Sequence, residues 1–193
     1  MDLEPVFPYD LLAEQNDVHA IIRDHWLVLD YTVNKDNTVN VKGDVKFPDF
    51  ASFLTELPLK FNKVSGNFDI STLVNLTTLK GSPIEVGGFF NCAYTNINSL
   101  NYAPKKASKL IFDNTLRSLS TGNLNCNFDQ VSILFINSNP VNGLPSVIKK
   151  YSTFLPTIFK YQSYFKVWDD INDDPFNQDG FEELIAEITE GLK

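Results

Sequence analysis

Leu54-Thr55-Glu56-Leu57 and Leu76-Thr77-Thr78-Leu79 stand 22 residues apart, and the same offset carries Val64 to Val86, Gly66 to Gly88, Phe68 to Phe90 and Ile70 to Cys92. A fixed period of this length marks a repeat architecture, in which each unit is one supersecondary coil. Upstream, Val41, Gly43, Val45 and Phe47 match Val64, Gly66, Phe68 and Ile70 at an offset of 23. Downstream, an offset of 21 aligns Leu79 with Leu100, Pro83 with Pro104, Val86 with Ala107 and Phe90 with Ile111. Leu116 and Leu119 restart the pattern, and Val131 to Asn139 reads as a further strand, but the spacing there is irregular.

Each unit has a physical reading. The alternation Val64-x-Gly66-x-Phe68-x-Ile70 has the period of a strand with one buried face. Leu-x-x-Leu then turns the chain back over the core, and Pro83 or Pro104 holds the return segment extended. One coil cannot cover its own apolar face. Stacked coils can, because each fully buried Leu, Val or Phe stabilises by about 1.5–3 kcal/mol and successive coils join into one core.

The units Leu76-Thr-Thr-Leu79-Lys-Gly-Ser-Pro83-Ile-Glu-Val86-Gly-Gly88-Phe-Phe90-Asn-Cys92 and Ile97-Asn-Ser-Leu100-Asn-Tyr-Ala-Pro104 resemble the repeat of leucine-rich-repeat-like proteins encoded by large tailed bacteriophages, which reads approximately L-T-S-L-E-G-A-P-K-x-V-G-G-x-F-x-C-S-x-N. Asp30 to Val45 resembles that family's opening hairpin and Tyr164 to Ile188 its closing helix, so the likeness spans nearly the whole chain beyond residue 16. The third unit departs from it, with Ser108-Lys109 in place of Gly-Gly and Asp113 where Cys is usual. The resemblance implies a short leucine-rich-repeat-like solenoid, α/β or mainly β, with a helical cap at each end. It implies no catalytic residue.

The expected organisation is a helix-and-hairpin cap over 1–40, repeats over 41–143, and an aromatic-rich segment with a capping helix over 144–193. Leu11, Leu12, Val18, Ile21, Ile22 and Trp26 fall at helix-compatible spacings, and open solenoid ends need covers. Asp36-Asn37 between Tyr31-Thr-Val33 and Val39-Asn-Val41 reads as a hairpin turn. Asp179 is the expected helix N-cap, with Glu182 and Glu183 in the first turn and Phe181, Leu184, Ile185 and Ile188 on one face. The aromatics between Phe154 and Trp168 read first as core of that cap. A surface reading would have them anchor a partner.

Chemistry-bearing constellations are sparse. His19 and His25, the only histidines, are six residues apart and do not share a helical face for zinc. Cys92 and Cys126 sit on strand-like segments and read as reduced, packed thiols. Asp170 to Asp174 resembles the start of a calcium loop, but Pro175 takes the glycine position and Phe181 the place of the bidentate Glu, so a solvated acidic loop is the simpler reading. No catalytic residue, metal or cofactor is expected.

A net charge of −8 disfavours binding to nucleic-acid phosphates and anionic membranes. No apolar run approaches the roughly 20 residues of a membrane span, and the start Met1-Asp2-Leu3-Glu4-Pro5 lacks the features of a secretory signal. Together with these exclusions, the resemblance implies a non-enzymatic protein-binding module in the host cytoplasm, a phage accessory protein that binds or inhibits a host factor, including a defence protein. The expected binding face is an outward row of Asn67, Asp69, Phe89, Asn91, Lys109 and Phe112, with Phe89 and Phe112 as anchors. The alternatives are a structural or self-assembling component, joined through an open strand edge, and an acidic mimic of nucleic acid.

Overall fold

A computed structural model describes residues 18–25, 30–122, 125–136, 143–169 and 175–193. Leu11, Leu12, Trp26 and Asp170 to Asp174 lie outside the described residues, as does the side chain of His25. The protein is a mixed α/β chain built on a β-solenoid of about four turns with a few helices. Among the described residues no helix is long and apolar enough to cross a membrane.

Helix α1 (Val18–His25) comes first, with Ile22 fully buried. Strands β1 (Tyr31–Val33) and β2 (Val39–Val41) form an antiparallel hairpin, and Asn37 in its turn has φ 60, the left-handed region that Asn tolerates. From β2 onward the chain winds in parallel rungs. Strands β2, β4 (Phe61–Val64) and β6 (Glu85–Val86) pair side by side, with Val41 opposite Val64 and Val64 opposite Val86. A second row consists of β3 (Val45–Lys46), β5 (Phe68–Asp69) and β7 (Phe89–Asn91), with Phe68 opposite Val45 and Phe90.

The alternating segment of each unit is thus two short strands and not one. Between them the chain bends, and there the coils touch backbone to backbone. Gly66 N–H donates to Gly43 O (2.9 Å), Gly88 N–H to Gly66 O (2.8 Å) and Ser108 N–H to Gly88 O (3.0 Å). A Cβ on Gly87 would lie 2.1 Å from the Ser65 carbonyl oxygen, so glycine is required by approach distance. The spacing Val64-x-Gly66-x-Phe68 is the same for a straight strand and for this bend.

Both rows converge on β8 (Lys106–Asp113), an unbroken strand that pairs with β6 at Lys106 and with β7 at Lys109 to Ile111. Strand β9 (Asn127–Leu134) runs parallel to β8 from end to end. Here the register differs from the expected offset. Glu85 opposite Lys106 is 21 residues, whereas Phe90 lies opposite Leu110, not Ile111. One residue is lost where Ser108 alone replaces the Gly87-Gly88 bend. Asp113 therefore follows the Cys92 register by one position, and Phe112 takes the inward place.

The core is the coil interior: Leu57, Leu76, Leu79, Ile97, Leu100, Leu116 and Leu119 from the return segments, facing Val41, Val64, Val86, Phe68 and Phe90 from the strands, all buried. Phe68 and Phe90 stack with ring centroids 5.6 Å apart. After β9 come α2 (Ser146–Lys150), α3 (Leu155–Tyr161) and α4 (Gln178–Glu190). Phe159 of α3 meets Phe112 and Phe128 edge-on at 6.3 and 5.3 Å, so this helix packs on the last rungs. The N-cap of α4 is Asn177, whose side chain accepts from Gly180 N–H at 3.2 Å. The expected cap, Asp179, stands in the first turn, where its carboxylate still complements the helix dipole. Phe181, Leu184 and Ile185 are buried.

Candidate functional site

The six residues of the expected binding face separate into three groups. Phe112 is 0% exposed and packs on Phe159, so it cannot anchor a partner; the one-residue slip at Ser108 turned it inward. Asn67, Asp69 and Asn91 are half-buried and use their side-chain oxygens inside the stack. Asn67 Oδ1 accepts from Phe89 N–H (3.0 Å), Asp69 Oδ1 accepts from Ser71 N–H (3.1 Å) and from Asn91 Nδ2 (3.1 Å), and Asn91 Oδ1 accepts from Ala93 N–H (3.2 Å). They satisfy turn amides that would otherwise be unpaired. Phe89 and Lys109 are opposed across β7 and β8 and are also half-buried.

Larger apolar exposure lies at the coil corners. Gly81 and Tyr102 occupy one position of successive coils, as the offset of Pro83 and Pro104 requires, and both have positive φ, 98 and 70. Glycine is unstrained there; a tyrosine costs on the order of 1 kcal/mol. Nevertheless the Tyr102 ring is 59% exposed, so inward packing does not account for it. Tyr94, at the opposite corner, repeats the arrangement with φ 64 and 51% exposure, its N–H donating to Asp113 Oδ2 at 2.6 Å. Strained backbone that presents an aromatic ring to solvent is a signature of function more than of folding.

Tyr102 borders a groove of about 430 Å³ between the return segments and the first strand row, lined also by Ser82, Pro83, Ile84, Asn101, Lys105 and Thr121. The Ser82 hydroxyl oxygen is buried and has no hydrogen-bond partner among the described residues. A second depression of about 450 Å³ lies on the first row, lined by Lys63, Glu85, Gly87 and Lys106. Lys63 Nζ lies 2.9 Å from Glu85 Oε2, and that hydrogen bond, together with the lysine charge, holds the Glu85 carboxyl below its ordinary range.

The nucleophile-type residues are placed for packing. Cys92 and Cys126 are unbonded to each other and buried. Burial, with the Asp113 charge second, pushes the Cys92 thiol far above its ordinary range; burial also raises Cys126, whose Sγ lies 3.2 Å from Thr121 Oγ1. A thiol that resists ionisation is a poor nucleophile. His19 Nδ1 lies 2.9 Å from the Tyr31 hydroxyl. Among the described residues no group of three or more His, Cys, Asp or Glu is arranged to hold a metal ion. Of the aromatics between 154 and 168, Phe159 is buried, Phe154, Tyr161, Phe165 and Trp168 are partly buried against the core, and Tyr164 alone is largely free, at 82% exposure.

Compared with protein families, curated proteins and solved structures, the chain matches none.

Proposed function

We propose that this protein is a non-enzymatic protein-binding module: a leucine-rich-repeat-like stack, closed by its helices, that presents corner aromatics to a partner. The observation that carries the reading is the pair Tyr94 and Tyr102, each held at positive φ with more than half of its surface exposed. Tyrosine supplies a large amphipathic contact surface at low entropic cost, and binding hot spots are enriched in it. The repeat's resemblance to those of large tailed phages supports an accessory role, in which the protein binds or inhibits a host protein in the host cytoplasm, with defence proteins among the candidates.

A structural, self-associating role is the second reading. It rests on β9 (Asn127–Leu134), whose strand partner among the described residues is β8 alone; a strand at the edge of a sheet can template another strand.

Affinity capture from host lysate separates the two when run beside light scattering. The binder reading expects a monomer at all concentrations that retains one host protein, and expects Tyr94→Ser with Tyr102→Ser to release it. A concentration-dependent oligomer with nothing captured would overturn it.

A further inference from the structure

Two depressions have linings that adjoin along the chain: Ile84 and Lys105 line the one beside Tyr102, and their chain neighbours Glu85 and Lys106 line the other, so the surface from Tyr102 to Lys106 crosses the starts of β6 and β8 as a shallow trough. Its character differs from that of the chain as a whole. The protein carries a net charge of −8, yet the charged residues lining the trough are Lys63, Lys105, Lys106 and a single acid, Glu85, already paired with Lys63. Among the described residues Lys105 and Lys106 have no ion-pair partner. At the Tyr102 end the lining turns apolar, with Pro83 and the half-exposed Ile84 beside the ring.

We infer that the trough from Tyr102 to Lys106 binds an extended acidic peptide segment of a partner protein, an apolar side chain lying against Tyr102 and Ile84 and a carboxylate beside Lys105 and Lys106. This deepens the protein-binding reading and rests on it. The charge pattern selects the occupant. A basic segment would face unneutralised lysines, and a neutral one would leave them unused. Long-range repulsion from the acidic remainder of the chain keeps the affinity of an isolated segment modest and makes the local contacts decisive.

The test is titration of the full-length isotope-labelled protein with a labelled decapeptide of alternating Glu and Leu, with its Lys and Leu counterpart and an oligouridine decamer as controls. The acidic peptide is expected to shift the amide resonances of Ser82, Ile84, Tyr102 and Lys105 and the Lys peptide to leave them in place. Lys105→Glu with Lys106→Glu, both on exposed side chains, should weaken binding about tenfold while the circular dichroism is unchanged. No shift at millimolar peptide, shifts located elsewhere, or preferential binding of the RNA would overturn the inference. If the peptide fails while a Tyr94- and Tyr102-dependent protein is still captured from lysate, the trough assignment is wrong and the binding-module reading stands; failure of both removes both.

Discussion

Gly81 and Tyr102 are the same corner of two successive coils, and both hold left-handed backbone, at φ 98 and 70. The glycine is there for space as well as for torsion: a Cβ at position 81 would stand 2.6 Å from the Leu59 carbonyl oxygen. Gly81→Ala is therefore expected to destabilise the protein by roughly 1–3 kcal/mol, combining a φ penalty with a backbone clash. Urea unfolding followed by circular dichroism checks this, and an unchanged midpoint would show that the corner relaxes.

The bend between the two strand rows depends on Gly87 more tightly still, because the atom its Cβ would strike, 2.1 Å away, is the Ser65 carbonyl oxygen of the preceding rung. Gly87→Ala is expected to cost at least about 2 kcal/mol, the range of an overpacked site that only backbone movement can relieve. Chemical denaturation measures it.

Phe112 and Phe89 separate core from surface. Phe112→Ala empties a site buried against Phe159 and should cost about 3–5 kcal/mol. Phe89→Ala, at a half-buried outward position, should cost about 1 kcal/mol or less. Equal losses for the two in the same denaturant series would mean that the register slip at Ser108 is misplaced.

Burial raises the Cys92 and Cys126 thiols above their ordinary range, Cys92 the further. The folded state then keeps these protons to higher pH than the unfolded chain does. Their contribution is whole below the unfolded thiol value of about 8.5 and is lost as pH climbs above it toward the folded value. Iodoacetamide at pH 8 is expected to leave both cysteines unmodified until denaturant is added, as read by intact mass, and stability is expected to fall above pH 9.

Much of the solenoid is legible in the amino-acid order because burial repeats. The pairs Leu54 with Leu76, Val64 with Val86 and Phe68 with Phe90 are separated by one rung, and the structure places Val64 opposite Val86 and Phe68 opposite Phe90 as parallel neighbours. The bend within each unit was not legible, because an apolar residue at every second position serves a straight strand and a cornered one equally. The slip at Ser108 was hidden for a similar reason: Leu110 and Ile111 are both apolar, and only the backbone pairing distinguishes them. Asn177 displaced Asp179 as the cap of α4 because either side chain can accept an N-terminal amide, and the choice depends on where the preceding chain leaves Trp168 and Phe176, which form an isolated bridge just before the helix. The candidate site left one trace in the sequence. Aligning Pro83 with Pro104 puts Tyr102 where the previous unit has Gly81, a bulky ring at a position whose precedent is glycine. The trough left less: Lys105 and Lys106 adjoin in the sequence, but Lys63 is brought toward them only by the pairing of rungs, Lys63 opposite Glu85 and Glu85 opposite Lys106.

On the proposed binding role, Tyr94 and Tyr102 are kept at strained positions for binding and not for folding. That role is tested most directly by measuring the melting temperature of Tyr94→Gly with Tyr102→Gly and its retention of host protein on one preparation, against the unsubstituted chain. The melting temperature is expected to equal or exceed that of the unsubstituted protein, since glycine relieves both torsions, and the captured protein is expected to be lost. A lowered melting temperature, or a partner still retained by the substituted protein, would contradict it.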